Sequence, residues 1–285
     1  MVPKEPVPQR NLAEWVNDLH KLMSTPIERP DEVLSDRQAK AVRRVLDDSA
    51  RHLGVLSRRL DTIRMPGRVF NPSDPKVFGP FISLALLAQP RVKLEALEPC
   101  YGSGIYAIYY NGSFDAYAPI TRVEHPIYVG KADPEDAKAE NPKDQGDKLT
   151  GRLLEHRKSI ARASNLEVAD FECRYMVISS GWQDSVEKFL IKVYAPVWNK
   201  ETKICFGIGK HGDSAATRGN KRSPWDTLHA GRGWAASTEQ DQASEQDIRR
   251  KLEKHFQEKP PIQSLSDAFE RFLEEFRSEN PVGST

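Results

Sequence analysis

The sequence of 285 residues lacks the features that mark exported or membrane-inserted chains. No apolar run approaches the length needed to cross a bilayer. The first residues, from Met1 to Pro6, contain no apolar core of the kind that a signal peptide needs, so we expect no export. The three cysteines (Cys100, Cys173 and Cys205) form no CxxC pair, which argues against a disulfide framework and against a zinc site. We therefore expect a cytoplasmic protein that does not act at a membrane.

The chain also lacks an overall excess of charge, since its net charge is +1. Residues 199–235, however, contain seven basic and three acidic residues, whereas residues 236–285 contain seven basic and eleven acidic ones. A basic segment of this kind permits a phosphate-binding face on a chain that is neutral overall. An unevenly charged, solvated surface would produce the same pattern.

The first third of the chain has a helical pattern. Apolar positions alternate at spacings of four and three residues over three heptads, with one polar member (Val42, Leu46, Ser49, Leu53, Leu56, Leu60 and Ile63). The pattern predicts either a long amphipathic helix packed on its own domain or an element of a helical hairpin or dimer. A stretch rich in Pro and Gly, from Pro66 to Pro80, separates this region from the rest of the chain.

Beyond Tyr101 the hydrophobic period changes to that of β-strands alternating with helices. Short segments rich in aromatic and β-branched residues predict three strands, Gly104–Tyr110, Ile127–Lys131 and Arg174–Ser179. Apolar stripes at helical spacing predict helices over Asp147–Arg162, Gln183–Tyr194 and Ser264–Phe276.

Two of these strands and two of these helices contain polar residues in a distinctive order. The strands contain Gly104-Ile105-Tyr106 and Tyr128-Val129-Gly130. The helices contain Arg152 and His156, four positions apart and hence on one face, and then Glu187, which Asn199 follows. Each feature alone is common, but the whole series over residues 102–199 resembles the active-site order of the GIY-YIG nucleases. The resemblance implies a mixed α/β (α+β) fold with a small central antiparallel β-sheet flanked by helices, plus a helical N-terminal extension and a C-terminal helix.

The resemblance implies how a phosphodiester bond is hydrolysed. Tyr106 is the expected general base or water-orienting group, and Tyr128 would orient the nucleophile. A free phenol has a pKa of about 10, so the pKa of Tyr106 must be depressed, or its proton must be relayed. Lys131 and Arg152 are expected to supply positive charge that favours the phenolate, and His156 to take up or relay the proton. Arg152 would also neutralise charge on the scissile phosphate.

The metal ligand implied by the resemblance is Glu187. It is expected to hold one Mg²⁺ ion per active site, which Mn²⁺ is able to replace, because Mg²⁺ is usually bound by one or two carboxylates plus water and phosphate. Asn199 is expected to contact phosphate or to position other groups.

The segment after Asn199 resembles one branch of the family more narrowly. Phe206 to His211 and Ser223 to Arg232 are similar to the region after the nuclease core in type II restriction enzymes with SacII-type specificity, which cut CCGCGG. Arginines suit guanine recognition, and lysines suit phosphates. The candidate DNA-binding residues are Lys203, Lys210, His211, Arg218, Lys221, Arg222, His229 and Arg232.

These expectations divide the chain into four parts. Residues 1–100 would form a helical extension for dimerisation or DNA wrapping, 101–200 the nuclease core, 201–235 the DNA-recognition segment and 236–285 a C-terminal helical segment. The expected partners are double-stranded DNA, further copies in a homodimer or homotetramer, and a cognate DNA methyltransferase as functional companion. The alternatives are a GIY-YIG nuclease of repair or mobile elements, and a DNA-binding protein without catalytic activity.

Overall fold

The structure is a computed structural model that describes residues 11–25, 34–61, 63, 71, 74–209 and 221–279. The chain divides into two compact units, Met1–Met65 and Pro66–Thr285. No helix within the described ranges is long and apolar enough to span a membrane.

The first unit contains two helices, α1 (Leu12–Ser24) and α2 (Asp36–Leu60). Both helices are N-capped by the side chain of the residue that precedes them. Asn11 accepts a hydrogen bond from the Glu14 backbone, and Ser35 forms a capping box with Gln38. The predicted long amphipathic helix is present as α2, and every residue of both helices is exposed or half-buried.

The second unit is built around a four-stranded antiparallel sheet with the order β1-β4-β2-β3. The strands are β1 (Val92–Lys93), β2 (Gly104–Tyr110), β3 (Tyr128–Ala132) and β4 (Phe171–Val177). The predicted sheet is confirmed. Strand β2 has the predicted bounds, β3 is shifted by one residue, and β4 begins three residues earlier than the prediction because its buried start, at Phe171, pairs with the end of β2.

Helices cover both faces of this sheet, which explains why all seven residues of β2 are buried. Alternate residues enter two apolar clusters: Tyr106 and Ile108 face the side of helix α4, and Ile105 and Ala107 face the other side. The covering helices are α3 (Pro75–Leu87), α4 (Lys148–Ala161), α5 (Gln183–Tyr194), α8 (Glu245–Glu258) and α9 (Leu265–Glu279). The bounds of α5 are those predicted, and its end coincides with Ala195, whose φ of 45° is left-handed.

Short elements connect these helices and strands. They are β5 (Lys221–Arg222) paired with β6 (Gln240–Asp241), the helices α6 (Pro224–Leu228) and α7 (Gly233–Ala236), and 3₁₀ turns at Leu94–Ala96, Asp115–Ile120, Val168–Asp170 and Lys200–Thr202. Residues before position 101 also contribute to the second unit, because β1 pairs with β4 and α3 packs against α5. The boundary between the compact units thus lies at residues 65 and 66, where the stretch rich in Pro and Gly begins, and the division of the chain into four parts by role stays a prediction.

Candidate active site

The two tyrosines of the strand motifs lie on neighbouring strands. Tyr106 on β2 is opposite Gly130 on β3, and the ring centroids of Tyr106 and Tyr128 are 6.0 Å apart. A Cβ atom on Gly130 would lie 2.6 Å from the Tyr106 hydroxyl oxygen and 2.9 Å from the Tyr128 ring. The glycine of the second motif is therefore required by space, because both phenol rings occupy the position that a side chain would fill.

Helix α4 adds His156 to this pair. The Tyr106 hydroxyl and His156 Nε2 are hydrogen-bonded at 2.8 Å, and the rings of Tyr128 and His156 are 4.9 Å apart. His156 is 1% exposed, so the contact lies in the interior. Three aromatic side chains from β2, β3 and α4 thus form one buried cluster.

Burial determines how the Tyr106 hydroxyl can act. It raises the pKa of Tyr106 well above its usual value, the neighbouring Tyr128 raises it further, and the positive charge of Arg152 lowers it. Burial likewise raises the pKa of Tyr128 to about 12. Of the two routes open from the sequence, a depressed pKa or a proton relay, the structure favours the relay, because the phenol is held protonated against a histidine nitrogen.

The carboxyl group of Glu187 projects from α5 into an electronegative site. Burial raises the pKa of Glu187 to about 7; Lys131 lowers it, and Glu201, Asp184 and Asp133 raise it. The half-buried carboxylate accepts no hydrogen bond from the residues that the structure describes. Such a group, which has acidic neighbours and no hydrogen-bond donor of its own among the described residues, is suited to bind a cation.

A single divalent ion fits this donor set. The described residues contain no group of three or more histidine, cysteine or acidic side chains arranged to hold a metal. Mg²⁺ commonly uses one or two carboxylates and completes its shell with water and phosphate oxygens. Glu187 is the residue that would hold it here.

Lys131 lies beside this carboxylate and not against Tyr106. Its ammonium group is 2.6 Å from Asp133 and 2.6 Å from Asp184. Its charge lowers the pKa of Glu187, whereas the cation that lowers the pKa of Tyr106 is Arg152. The expectation that Lys131 favours the phenolate is replaced by a role at the carboxylate.

A cleft of about 210 Å³ brings the site together at the surface. It is lined by Tyr128, Arg152, Glu187 and Asn199, and by residues 206–209. The side chain of Arg152 is 38% exposed and bonded to Glu155 at 2.5 Å. A phosphate in this cleft can therefore meet a guanidinium, a carboxylate and a phenol at once.

Asn199 serves the edge strand of the sheet. Its side chain accepts a hydrogen bond from the Val129 backbone N–H at 3.0 Å and donates one to the Val129 carbonyl at 2.8 Å. Both amide groups are satisfied by β3, which favours the positioning role over a phosphate contact.

The expected DNA-binding residues have several different placements. Lys203 and Lys221 are exposed, and Arg222 is half-buried in an ion pair with Asp241 at 2.7 Å. Lys210, His211 and Arg218 lie outside the described residues.

Two of the expected DNA contacts are interior groups, so their assignment is corrected. His229 is fully buried, bonded to Tyr117 at 2.6 Å, and burial lowers its pKa to about 3, so it is a neutral imidazole. Arg232 is 1% exposed and forms an ion pair with Asp226 at 2.6 Å. Its guanidinium also donates to the carbonyls of Ile208 (2.8 Å) and Gly207 (3.0 Å). Arg232 therefore holds the wall of the cleft in place.

The acidic neighbours of Glu187 were not anticipated from the sequence. Asp184 precedes Glu187 by three positions on α5, and Asp133 follows Lys131 by two, just after the strand. The first spacing places two carboxylates on one helix face, a signal that the sequence does contain. The ion pair that joins Lys131 to both aspartates depends on β3 lying next to α5, which the local pattern does not define.

The similarity of the chain to known families agrees with this geometry. The family model of the Eco29kI GIY-YIG domain matches residues 98–256, more than half of the chain. The matched range contains Tyr106, Glu187 and the other members of the cleft and the tyrosine cluster. No curated protein matches the sequence.

Proposed function

The chain belongs to the Eco29kI GIY-YIG family of restriction endonuclease domains and is accordingly a DNA nuclease, and we propose that it is a type II enzyme that cuts double-stranded DNA at a short GC-rich palindrome, CCGCGG, using Mg²⁺. The observation that carries this proposal is the cleft in which Arg152, Glu187 and Tyr128 meet, because Tyr128 also contacts the hydrogen-bonded pair of Tyr106 and His156.

Water attack on the phosphorus forms one O–P bond and breaks the P–O bond to the leaving sugar oxygen. The attacking water loses its proton to Tyr128, which lines the cleft, while Tyr128 passes its own proton to the Tyr106 oxygen and Tyr106 passes one to His156 Nε2, 2.8 Å away. This transfer needs no free phenolate, in accord with the raised pKa of Tyr106. Arg152 neutralises the charge that develops on the phosphate, and the leaving oxygen takes a proton from solvent.

Glu187 is the proposed ligand of a single Mg²⁺, or of Mn²⁺ in its place. When bound, the ion would supply positive charge to the phosphate and to the leaving oxygen. Lys131 supports this ligand, because its charge lowers the pKa of Glu187 and so favours the ionised form that binds a cation.

Site recognition is assigned to arginines of residues 201–235. Arg222 is partly accessible and Arg218 belongs to the same segment, whereas Arg232 is engaged in the interior. Replacing an arginine that recognises guanine is expected to cost about 1–3 kcal/mol and to relax one position of the site. Replacing Lys203 with alanine, as a control, should weaken all duplexes alike.

A palindrome is most simply recognised by two symmetric copies, so we propose a homodimer or a homotetramer. Light scattering with and without a CCGCGG duplex tests this assembly. A cognate methyltransferase is the proposed companion, and digestion of a CCGCGG plasmid before and after methylation of its sites tests that pairing.

Digestion of plasmid DNA with Mg²⁺ tests the activity. Plasmids with one and with several CCGCGG sites should yield discrete fragments whose sequenced ends lie within the site, and a plasmid without the site should stay intact. The Glu187→Gln variant is the control. Random nicks would instead indicate a nuclease of another kind, and retardation on a gel without cleavage would indicate a DNA-binding protein.

A further inference from the structure

Helix α2 carries an unbalanced positive charge. It contains seven basic residues (Arg37, Lys40, Arg43, Arg44, Arg51, Arg58 and Arg59) and three acidic ones, a net charge of +4. Helix α8 carries four basic and four acidic residues, and α9 carries two and five. Helices α8 and α9 are therefore balanced or acidic, whereas α2 is basic, as is the shorter α4 with four basic residues and one acidic residue.

The basic residues of α2 are arranged on one face. Arg37, Arg44, Arg51 and Arg58 recur every seven positions, and Lys40 falls between the first two. At 100° per residue these five side chains lie within an arc of about 60°. The column is about 31 Å long from Arg37 to Arg58, at a rise of 1.5 Å per residue.

The cations of this column are accessible. All of them are exposed. Among the described residues, one ion pair is formed on α2, between Arg51 and Asp48, whereas Arg249, Arg250 and Lys254 on α8 each pair with a neighbouring acid. The apolar seam of α2, from Val42 to Leu60, lies on the opposite side of the helix. At 100° per residue, its centre is about 170° from the centre of the basic column. The basic column therefore stays available whatever covers the seam.

We propose that this column of α2 binds the phosphates of duplex DNA, independently of base sequence, as a second contact outside the cleavage site. Four of its five members are arginines, whose planar guanidinium suits phosphate oxygens. The proposal rests on the proposed function, since DNA is the anion that the chain acts on. Residues 36–60 precede the range matched by the family model, so the contact belongs to this chain's own extension.

An anionic membrane is the competing partner for a basic amphipathic helix. A helix lying in a membrane interface buries its apolar side, and the column on α2 would then point away from the lipid. The apolar seam also has no aromatic residue. DNA is favoured on both grounds.

The test is the salt dependence of binding to a duplex without CCGCGG, measured in the absence of divalent ions. In Arg37→Gln/Arg44→Gln/Arg58→Gln, the slope of log Kd against log salt should flatten by up to about 2.7, because each phosphate that is no longer neutralised reduces it by about 0.9. Between 50 and 200 mM salt the change in Kd would then be up to about fortyfold smaller than in the wild type. The control, Arg250→Gln/Lys251→Gln/Lys254→Gln on α8, removes the same charge and should leave the slope unchanged.

Three measurements besides the slope, namely circular dichroism, vesicle binding and plasmid cleavage, make the outcome decisive. Circular dichroism verifies that α2 stays helical, as expected because glutamine and arginine have similar helix propensities. A slope equal to that of the α8 control overturns the proposal, as does loss of binding to phosphatidylserine vesicles with DNA binding unchanged. If the slope flattens but plasmid is not cut at discrete sites, the α2 contact stands and the proposed function fails.

Discussion

The charge of Glu187 should oppose folding above neutral pH. Burial holds the pKa of this carboxyl at about 7, against an ordinary value of 4.5, so the folded protein retains a proton that the unfolded chain releases. A carboxyl whose pKa is raised by folding does not lower the free energy of unfolding below pH 4.5. The free energy of unfolding then falls as the pH rises from 4.5 through about 7. Replacing Glu187 with glutamine keeps the shape and removes the charge, so it should stabilise the protein while it removes the proposed metal ligand.

The size of this effect follows from the two pKa values. Their difference corresponds to at most about 3.4 kcal/mol. Because the carboxyl is only half-buried, solvent screens part of this energy. We therefore expect the free energy of unfolding of Glu187→Gln to exceed that of the wild type by about 1–2 kcal/mol at pH 8. The gain should shrink as the pH falls and disappear toward pH 4.5, where the wild-type group is protonated in the folded state.

Urea unfolding without divalent ions measures the gain at pH 8, pH 6 and pH 4.5 in the wild type and in Glu187→Gln. Glu253→Gln, an exposed substitution on α8, is the control and should show no gain. Addition of Mg²⁺ at pH 8 should stabilise the wild type alone. In cleavage assays Glu187→Gln should be inactive and still bind the specific duplex. A glutamine variant that is no more stable than the wild type at pH 8 would refute the electrostatic argument, and near-normal cleavage would refute the metal assignment.

Three further substitutions test other parts of the site. Arg152→Lys keeps the charge but loses the planar fork, so single-turnover cleavage should fall by at least about tenfold, and a normal rate would show that Arg152 does not hold phosphate. Gly130→Ala places a methyl group 2.6 Å from the Tyr106 hydroxyl, so the free energy of unfolding measured in urea should fall by about 1–3 kcal/mol and most of the cleavage activity should be lost. An unchanged free energy of unfolding would contradict the close packing. Arg232→Met leaves the Asp226 carboxylate buried without its partner, and about 3–5 kcal/mol should be lost; specific loss of one base preference with normal stability would restore Arg232 as a DNA contact.

Much of the fold could be predicted because its determinants are local. The β-branched and aromatic run of Gly104–Tyr110 defines β2, and α5 begins and ends at the residues that its apolar stripe and Pro196 indicate. The pairing of Tyr106 with the strand of Tyr128 was expected from the order of the two motifs, and the sheet confirms it. Strand β1 could not be predicted, since two residues carry no periodicity.

The partners of the charged groups could not be predicted because they join distant parts of the chain. Arg232 donates a hydrogen bond to the carbonyl of Gly207, 25 positions earlier, and its ion pair with Asp226 is buried. From the sequence alone, a basic residue that is buried in an ion pair cannot be distinguished from one that is exposed on the surface. The structure separates the two cases, because Lys203 stays exposed whereas Arg232 does not.

Burial raises the pKa of both Tyr106 and Glu187, and the consequences for the chemistry of the two groups differ. For Tyr106 it keeps the hydroxyl protonated, so this group can take a proton only by passing one on, and His156 is the acceptor in contact. For Glu187 it favours the protonated form near neutral pH, which would compete with the proposed metal ion, and the charge of Lys131 partly offsets this shift. Arg152 lines the same cleft as Glu187, and its charge lowers the pKa of Tyr106. The charge of Glu187 also raises the pKa of Tyr106, so the proposed cation site and the proposed proton relay are electrostatically coupled.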